Sequence, residues 1–308
     1  MPFPLMPGYD HINVVADLDP GAALRDIELG ERIRDYPKLL PAGSPDFGHA
    51  VQTGTEWRIG SSGSSDPSSA RYSLAFDLRR DAADLGEDPT AHAMRAAADR
   101  LDPEDGEQLP KDEWEIGDRR YRVIRMERFA LIGDRTMEPP RGCDDTLRGD
   151  DPLAGHLIDP RAPAGHWEAQ LRLNLVGFTA LPSTASDAAR TETHHAILTH
   201  PGVVLLPPSF TVVEVEGDTW RPLTGGDRPE EARRRLARHF CDVLPRLREF
   251  QGDPVPPAER ARWAEASKHI EATTDHTFTI MDREFRILRI SRMLRLGKDG
   301  PEAPRPSD

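Results

Sequence analysis

The chain has 308 residues, 37% of them hydrophobic, which is enough apolar surface for one large core or two smaller ones. Its net charge of −13 at pH 7 repels polyanions at long range and therefore disfavours nucleic acid and anionic membranes as general partners. The two cysteines, Cys143 and Cys241, are too few for a secreted disulfide scaffold, which favours a cytoplasmic protein. Because the sequence shows no basic leader and no long apolar stretch, we expect neither export nor a membrane span.

The first predicted element is a helix over Pro20–Asp35, and after it one unit occurs twice. Residues 116–141 align with residues 280–305 without a gap, at a constant offset of 164 positions, and ten of the 26 aligned pairs are identical. Weaker matches extend the two copies upstream to Tyr36 and to His200. We therefore predict an internal duplication in four parts: an N-terminal helical lead (1–35), repeat copy 1 (36–141), an acidic loop and helical connector (142–199) and repeat copy 2 (200–308).

Each copy is predicted to form two hairpins with two helices between them. The hairpins show β-branched and aromatic runs around glycine turns, and the first helix of copy 1 begins at Pro67 behind a capping residue, Asp66. The order ββααββ predicts an α+β fold with antiparallel sheets, helices on one face and a pseudo-twofold arrangement of the copies. The predicted elements are strands 47–52, 56–59, 114–116 and 121–132 with helices 67–81 and 90–101 in copy 1, and strands 210–215, 219–223, 278–280 and 285–296 with helices 229–250 and 257–270 in copy 2.

The helix predicted over 229–250 carries apolar residues at three- and four-residue spacing. Such spacing forms a single apolar stripe, and we expect this stripe to be buried. Its members are Leu236, Phe240, Val243, Leu244 and Leu247.

The connector combines two predicted helices, 166–175 and 183–199, with an acidic loop. Paired carboxylates occur in that loop at Asp144-Asp145 and Asp150-Asp151. Because the loop is rich in Gly, Pro and Asp, we expect solvated charges there rather than a metal or acid–base site.

The strand that closes each copy is rich in arginine. Alternation along the strand places Arg122 and Arg125 on opposite faces, and Arg286 and Arg289 repeat this arrangement in copy 2. Arg125 and Arg289 fall in otherwise apolar rows, where a buried guanidinium needs a partner.

Two interpretations of these buried arginines remain open. Arg125 and Arg289 pair with carboxylates of the same fold, such as Glu127 or Glu284, or they form a bidentate site for a phosphate or carboxylate ligand. Trp57 and Trp220, at equivalent strand positions, either pack the first hairpin against the helices or form an aromatic wall of a ligand pocket. The candidate ligand-binding residues are Arg122, Arg125, Arg286, Arg289, Trp57 and Trp220.

The common catalytic and metal motifs are missing from the sequence. There is no HExxH, GxSxG or SxxK, and His194, His195 and His200 do not share a helical face at i and i+4. The glycine- and serine-rich segment 60–66 lacks the Lys-Ser/Thr pair of a phosphate-binding loop. We therefore expect no metal ion and no cofactor.

Six segments carry a resemblance to a known family. They are Tyr36-Pro37, Trp57, Pro67-x-x-Ala70-Arg71-x-x-Leu74, the strand Arg119-x-Tyr121-Arg122-Val123-x-Arg125-x-Glu127-Arg128, His200-Pro201-Gly202 with Leu205-Leu206-Pro207, and Glu302-x-Pro304-Arg305-Pro306-Ser307-Asp308. The chain resembles a family of duplicated actinobacterial, chiefly streptomycete, proteins catalogued only as a domain of unknown function. The resemblance implies no activity, so it assigns no catalytic residue. Copy 2 departs from copy 1 at Ser291, which stands where copy 1 has Glu127.

Three functions are compatible with this sequence. The first is a non-enzymatic binding module for a protein partner or a small anionic ligand, because a duplicated chain presents one arginine-bearing face twice. The second is an enzyme of bacterial specialised metabolism or nucleotide chemistry with a site between the copies, and the third is a nucleic-acid-contacting factor, which would need exposed, continuous arginine rows.

Overall fold

The computed structural model describes residues 8–134, 136–146 and 151–308. The helices are α1 (Pro20–Asp35), α2 (Pro67–Leu85), α3 (Pro89–Leu101), α4 (His166–Val176), α5 (Asp187–Thr199), α6 (Pro229–Arg238), α7 (Leu244–Phe250) and α8 (Pro257–Ala272), with a π-helical turn, His239–Val243, between α6 and α7. The strands are β1 (Asn13–Val14), β2 (Lys38–Pro41), β3 (Asp46–Thr53), β4 (Glu56–Ser64), β5 (Glu113–Ile116), β6 (Arg119–Ile132), β7 (Leu157–Ile158), β8 (Pro163–Ala164), β9 (Gly202–Glu216), β10 (Thr219–Gly226), β11 (Thr277–Ile280), β12 (Arg283–Gly297) and β13 (Gly300–Pro301).

A single 11-stranded sheet runs through the molecule, in the order β10-β9-β12-β6-β3-β4-β7. Strands β11 and β13 pair with β12, while β2 and β5 pair with β6, and every pairing in this sheet is antiparallel. Strands β1 and β8 form a separate parallel pair. The α+β class and the antiparallel sheet predicted from the sequence are therefore confirmed.

The centre of the sheet is the pairing of β6 with β12. Arg128 lies opposite Arg292, Glu127 opposite Met293 and Phe129 opposite Ser291. The two central arginines are 164 positions apart, which is the offset of the sequence alignment.

Element starts agree well with the sequence patterns. The leading helix covers Pro20–Asp35 as predicted, and α2 begins at Pro67, where the Asp66 carboxylate accepts a hydrogen bond of 2.8 Å from the Ser69 backbone N–H. Proline fits the first helical position because the N–H it lacks would have no partner inside the helix.

We expect Asp66→Ala to lower the free energy of unfolding by about 1 kcal/mol, because it removes this helix cap. Urea denaturation at pH 7 measures the change. Asp84→Ala, an exposed acid near the negative end of the same helix, is the matched control and should cause no loss. Equal effects of the two substitutions would contradict the capping role.

The core lies on both faces of the sheet. On one face Tyr121 and Val123 pack against α2 and α3, and Phe285 and Ile287 pack against α6 and α8. The middle of this face, around Phe129, is covered by α1 and α4. On the other face, residues of β6 such as Ile124 and Met126 pack with Leu153 and Ile158 from the connector.

The helix predicted over 229–250 is interrupted, and its stripe is only partly buried. Leu236 and Phe240 are buried as expected, but Val243 and Leu247 are each 48% exposed. The π-helical turn places one additional residue in the helix at 239–243 and rotates the following turn, so α7 no longer presents the same face. The prediction of a continuous buried stripe was wrong.

Strand β9 continues through two consecutive prolines, Pro207 and Pro208, which cannot donate to a β ladder. The register of β9 against β12 shifts at this point, between Ile290 and Arg292. The Arg292 guanidinium donates to the carbonyls of both prolines, at 2.8 and 2.9 Å, so the irregular strand keeps its buried carbonyl oxygens satisfied.

Candidate functional site

The structure separates the six predicted site residues. Arg122 lies beside Trp57 and Arg286 beside Trp220, with guanidinium carbon to ring-centroid distances of 5.4 and 5.6 Å. Such distances allow cation–π attraction. Arg125 and Arg289 belong instead to two buried ionic clusters on the helix-bearing face of the sheet.

One interpretation of the sequence was that Trp57 packs the first hairpin against the helices. Trp57 is buried, but it does not lie against the helices. It lies in the core on the opposite face, with Ile124 and Ile158. Gly300 faces the ring: its φ is +120°, and a Cβ there would lie 2.8 Å from the Trp57 Cζ2 atom. The β12–β13 turn therefore requires a glycine at this position. The same turn lies close to Arg122.

The Arg122 guanidinium is held by groups from both halves of the chain. Its Nε donates to Glu113 at 2.8 Å, its Nη1 to the Pro301 carbonyl at 3.0 Å and its Nη2 to Asp299 at 2.7 Å. Asp299 has a 74% exposed side chain, whereas the Arg122 side chain is 6% exposed. An anion that binds Arg122 would lie beside these two carboxylates, which would repel it.

We call the first buried cluster the C-terminal cluster; it consists of Arg125, Glu127, Glu302, Arg305 and Asp308. Arg125 pairs with Glu127 and, at 2.9 Å, with Asp308. Arg305 pairs with Glu302 at 2.7 Å and with Glu127 at 3.4 Å, and its Nη1 donates to the Thr193 hydroxyl of α5. Three carboxylates thus surround two guanidinium groups.

The second cluster, which we call the connector cluster, consists of Glu138, Arg141, Asp144, Arg289 and Ser291. Each member lies 164 positions from one in the C-terminal cluster. Arg289 donates to Asp144 at 3.0 Å and to the Ser291 hydroxyl at 2.6 Å, and Arg141 pairs with Glu138 at 2.6 Å. Two expectations were wrong here: Asp144 is 3% exposed rather than solvated, and Glu284 pairs with Arg286, not with Arg289.

The two clusters differ in charge because Ser291 replaces Glu127. Burial lowers the pKa of Arg125, but the carboxylates of Glu127 and Asp308 outweigh this, and the net pKa is raised. For Arg289, burial and the neighbouring Arg141 prevail over Asp144, and the pKa is lowered. These opposite directions agree with the members of the clusters, because the C-terminal cluster has three carboxylates and the connector cluster has two.

A cavity of about 720 Å³ opens beside Arg122. Its walls are α5, the C-terminal segment 299–306 and the β5–β6 hairpin. The lining combines charged side chains, such as Asp112, Glu192 and Arg122, with apolar ones, such as Ala196 and Pro304. This volume falls within the range of small-molecule sites.

A second cavity of about 640 Å³ lies on the other side of Arg305. It is lined by Arg125, Glu127 and Asp308 of the C-terminal cluster, by the loop 41–45 and by residues 180–189 that lead into α5. Arg305 thus lines both cavities.

Sequence reasoning missed a buried polar group at His49. Its Nδ1 lies 2.8 Å from the Ser61 hydroxyl, and its Nε2 lies 3.5 Å from the Asp77 carboxylate. Burial and the charge of Arg80 lower the pKa of His49 to about 4, so a neutral imidazole contacts Asp77. The three side chains lie between the sheet and α2 and line neither cavity above, so they form a polar contact within the core.

Within the described residues, no group of three or more His, Cys, Asp or Glu side chains is arranged to hold a metal ion. In the same part of the chain, no helix combines the length and apolar character needed to cross a membrane. Neither cysteine forms a disulfide.

The sequence contained a signal for some of the residues it failed to nominate. Glu138 aligns with Glu302 and Arg141 with Arg305, and both pairs are among the ten identities. Since two of these four side chains belong to each cluster, the identical charged pairs indicated the segments 138–141 and 302–305.

Comparison with known proteins gives one family and no function. A model of a family of unknown function, DUF5954, matches residues 19–308. No curated protein and no solved structure matches the chain.

Proposed function

We propose that the chain, which belongs to the DUF5954 family of unknown function, is a non-enzymatic binding module whose site is the cavity beside Arg122. The observation that carries this proposal is the cavity itself. Three distant parts of the chain build its walls, and Arg122, Glu113 and Asp299 meet at its edge. A concave, largely apolar space with a few convergent polar groups is the usual form of a small-molecule site. We place its action in the cytosol, which fits two cysteines that form no disulfide.

We also propose that the chain arose by duplication of a ββααββ unit, with the copies related by a pseudo-twofold axis between Arg128 and Arg292. The central register supports this, because the paired arginines are 164 positions apart. The crossing segments support it as well: the Arg125 N–H donates to the Glu302 carbonyl, and the Arg289 N–H donates to the Glu138 carbonyl. Each copy thereby closes its cluster with a segment of the other. The actinobacterial origin expected from the resemblance stays a prediction.

We expect native mass spectrometry of the protein purified from its own host to show a retained small molecule. Ala303→Trp, which fills the cavity from the half-buried C-terminal segment, should abolish the retained mass. Ala189→Trp, in the wall of the second cavity, is the matched control and should keep it. Loss with Ala189→Trp alone would move the site to the second cavity. A retained protein chain without a small molecule would instead favour the protein-partner module.

The enzyme alternative has weaker support. It requires reactive groups in a pocket between the copies, near Arg125 or Arg289, and the second cavity adjoins Arg125. However, Arg125, Glu127 and Asp308 bind one another there, so their charges are already compensated.

A further inference from the structure

The chemistry of the cavity wall indicates which class of ligand the cavity beside Arg122 accepts. Resting on the function proposed above, we propose that this ligand carries a protonated amine on an apolar body and that Glu302 and Glu192 bind the amine.

The wall of the cavity is acidic. Burial lowers the pKa of His200, so this histidine adds no positive charge at neutral pH. Five carboxylates and two guanidinium groups line the cavity, giving these residues a formal charge of −3: Asp112, Glu113, Glu192, Asp299 and Glu302 against Arg122 and Arg305. Such a wall attracts cations and repels anions.

The two arginines of the wall already donate to carboxylates. Arg122 is held by Glu113 and Asp299, and Arg305 is held by Glu302. Because these carboxylates already compensate both guanidinium groups and would repel a bound anion, the arginines serve the wall rather than the ligand.

Two carboxylates of the wall keep capacity to accept hydrogen bonds. Glu302 is 3% exposed; its Oε1 accepts from Arg305, while its Oε2 accepts from no described residue. Glu192 accepts from the Ser307 backbone N–H at 3.2 Å and has no arginine or lysine partner among the described residues. A buried carboxylate oxygen without a donor is unfavourable. An ammonium group, with three donors and no acceptor, complements both carboxylates.

Beside Thr191, His195 and Thr199, the lining has an apolar part that suits an apolar body. Ala196 on α5 faces the same cavity as Ala303, Pro304 and Pro306 of the C-terminal segment. None of these side chains has a polar atom, so they contribute contact area rather than hydrogen bonds.

The test uses three probes with one phenyl body, measured by calorimetry on the full chain at pH 7: 2-phenylethylamine, 3-phenylpropanoate and 2-phenylethanol. We expect the amine to bind about tenfold or more tightly than either of the others, as a charge-assisted hydrogen bond would give. Glu302→Gln and Glu192→Gln should each reduce amine affinity about tenfold. Glu138→Gln is the matched control: Glu138 is equally buried but bonds Arg141 through both oxygens and does not line the cavity, so amine binding should be unchanged.

The outcomes separate the ligand class from the proposed function. Tighter binding of the acid or the alcohol, or an amine affinity insensitive to Glu302→Gln and Glu192→Gln, overturns the amine while leaving a binding cavity. If no probe binds, and the protein from its host retains no molecule that Ala303→Trp removes, the amine and the binding function both fail. Circular dichroism of each variant verifies that the fold is intact.

Discussion

Replacing Arg125 by methionine should lower the free energy of unfolding by about 3–5 kcal/mol, because removal of one partner leaves uncompensated buried charge. Arg125 is 5% exposed and pairs with Glu127 and Asp308. Without it, Arg305 alone faces three carboxylates of the C-terminal cluster. Guanidinium denaturation at pH 7, followed by circular dichroism, measures the loss.

The pH dependence of this loss has a definite sign. Carboxylates that lose Arg125 in a buried site have their pKa raised above the unfolded value. Such groups destabilise the fold when ionised, so the deficit of the variant relative to the natural chain should shrink as the pH falls towards about 4, the ordinary carboxyl pKa.

Three controls define the result. Arg289→Met should cost less, because Ser291 replaces the carboxylate of Glu127 in the connector cluster. Arg125→Met combined with Glu127→Met should recover about 1–2 kcal/mol of the single loss. Arg234→Met, whose partner Glu230 is exposed, should change stability by less than about 1 kcal/mol. An Arg125→Met loss no larger than that of Arg234→Met would show that the C-terminal cluster does not stabilise the fold.

The sequence predicted those elements whose signals are local. Caps such as Asp66 and alternating strands such as β6 depend on residues within one turn or one strand, so their positions were recovered within a few residues. The interruption at His239–Val243 was missed because the apolar spacing continues through it, and only packing against α8 determines which residues stay buried.

The candidate site depends on contacts that no local pattern encodes. Arg125 meets Asp308 across 183 positions, and the cavity wall joins Glu113, Glu192 and Glu302 from three separate segments. The sequence correctly required a partner for Arg125 and named Glu127. It could not foresee Asp308, because the C-terminal segment of one half reaches across the sheet to the other.

We expect the buried His49 to make the folded protein less stable in acid. Its pKa in the folded protein is about 4, against 6.5 for an unperturbed histidine, because burial and Arg80 disfavour the charged ring. Between pH 6.5 and pH 4, His49 is therefore protonated in the unfolded chain but neutral in the folded chain. The contribution of the neutral His49 to the free energy of unfolding is fully present above pH 6.5 and is lost as the pH falls towards 4. At 1.36 kcal/mol per pKa unit, this contribution amounts to about 3 kcal/mol.

Removing the titrating ring should remove this dependence. His49→Gln keeps an acceptor for Ser61 and a donor for Asp77, so the variant should fold, with lower stability at pH 7 than the natural chain. Between pH 7 and pH 4 its stability should fall by about 3 kcal/mol less than that of the natural chain, as urea denaturation at several pH values measures. His194→Gln, an exposed position on α5, should follow the natural curve. Parallel curves for His49→Gln and the natural chain would mean that the imidazole takes up its proton at the same pH in the folded and the unfolded chain, and the acid sensitivity would then have to come from other groups.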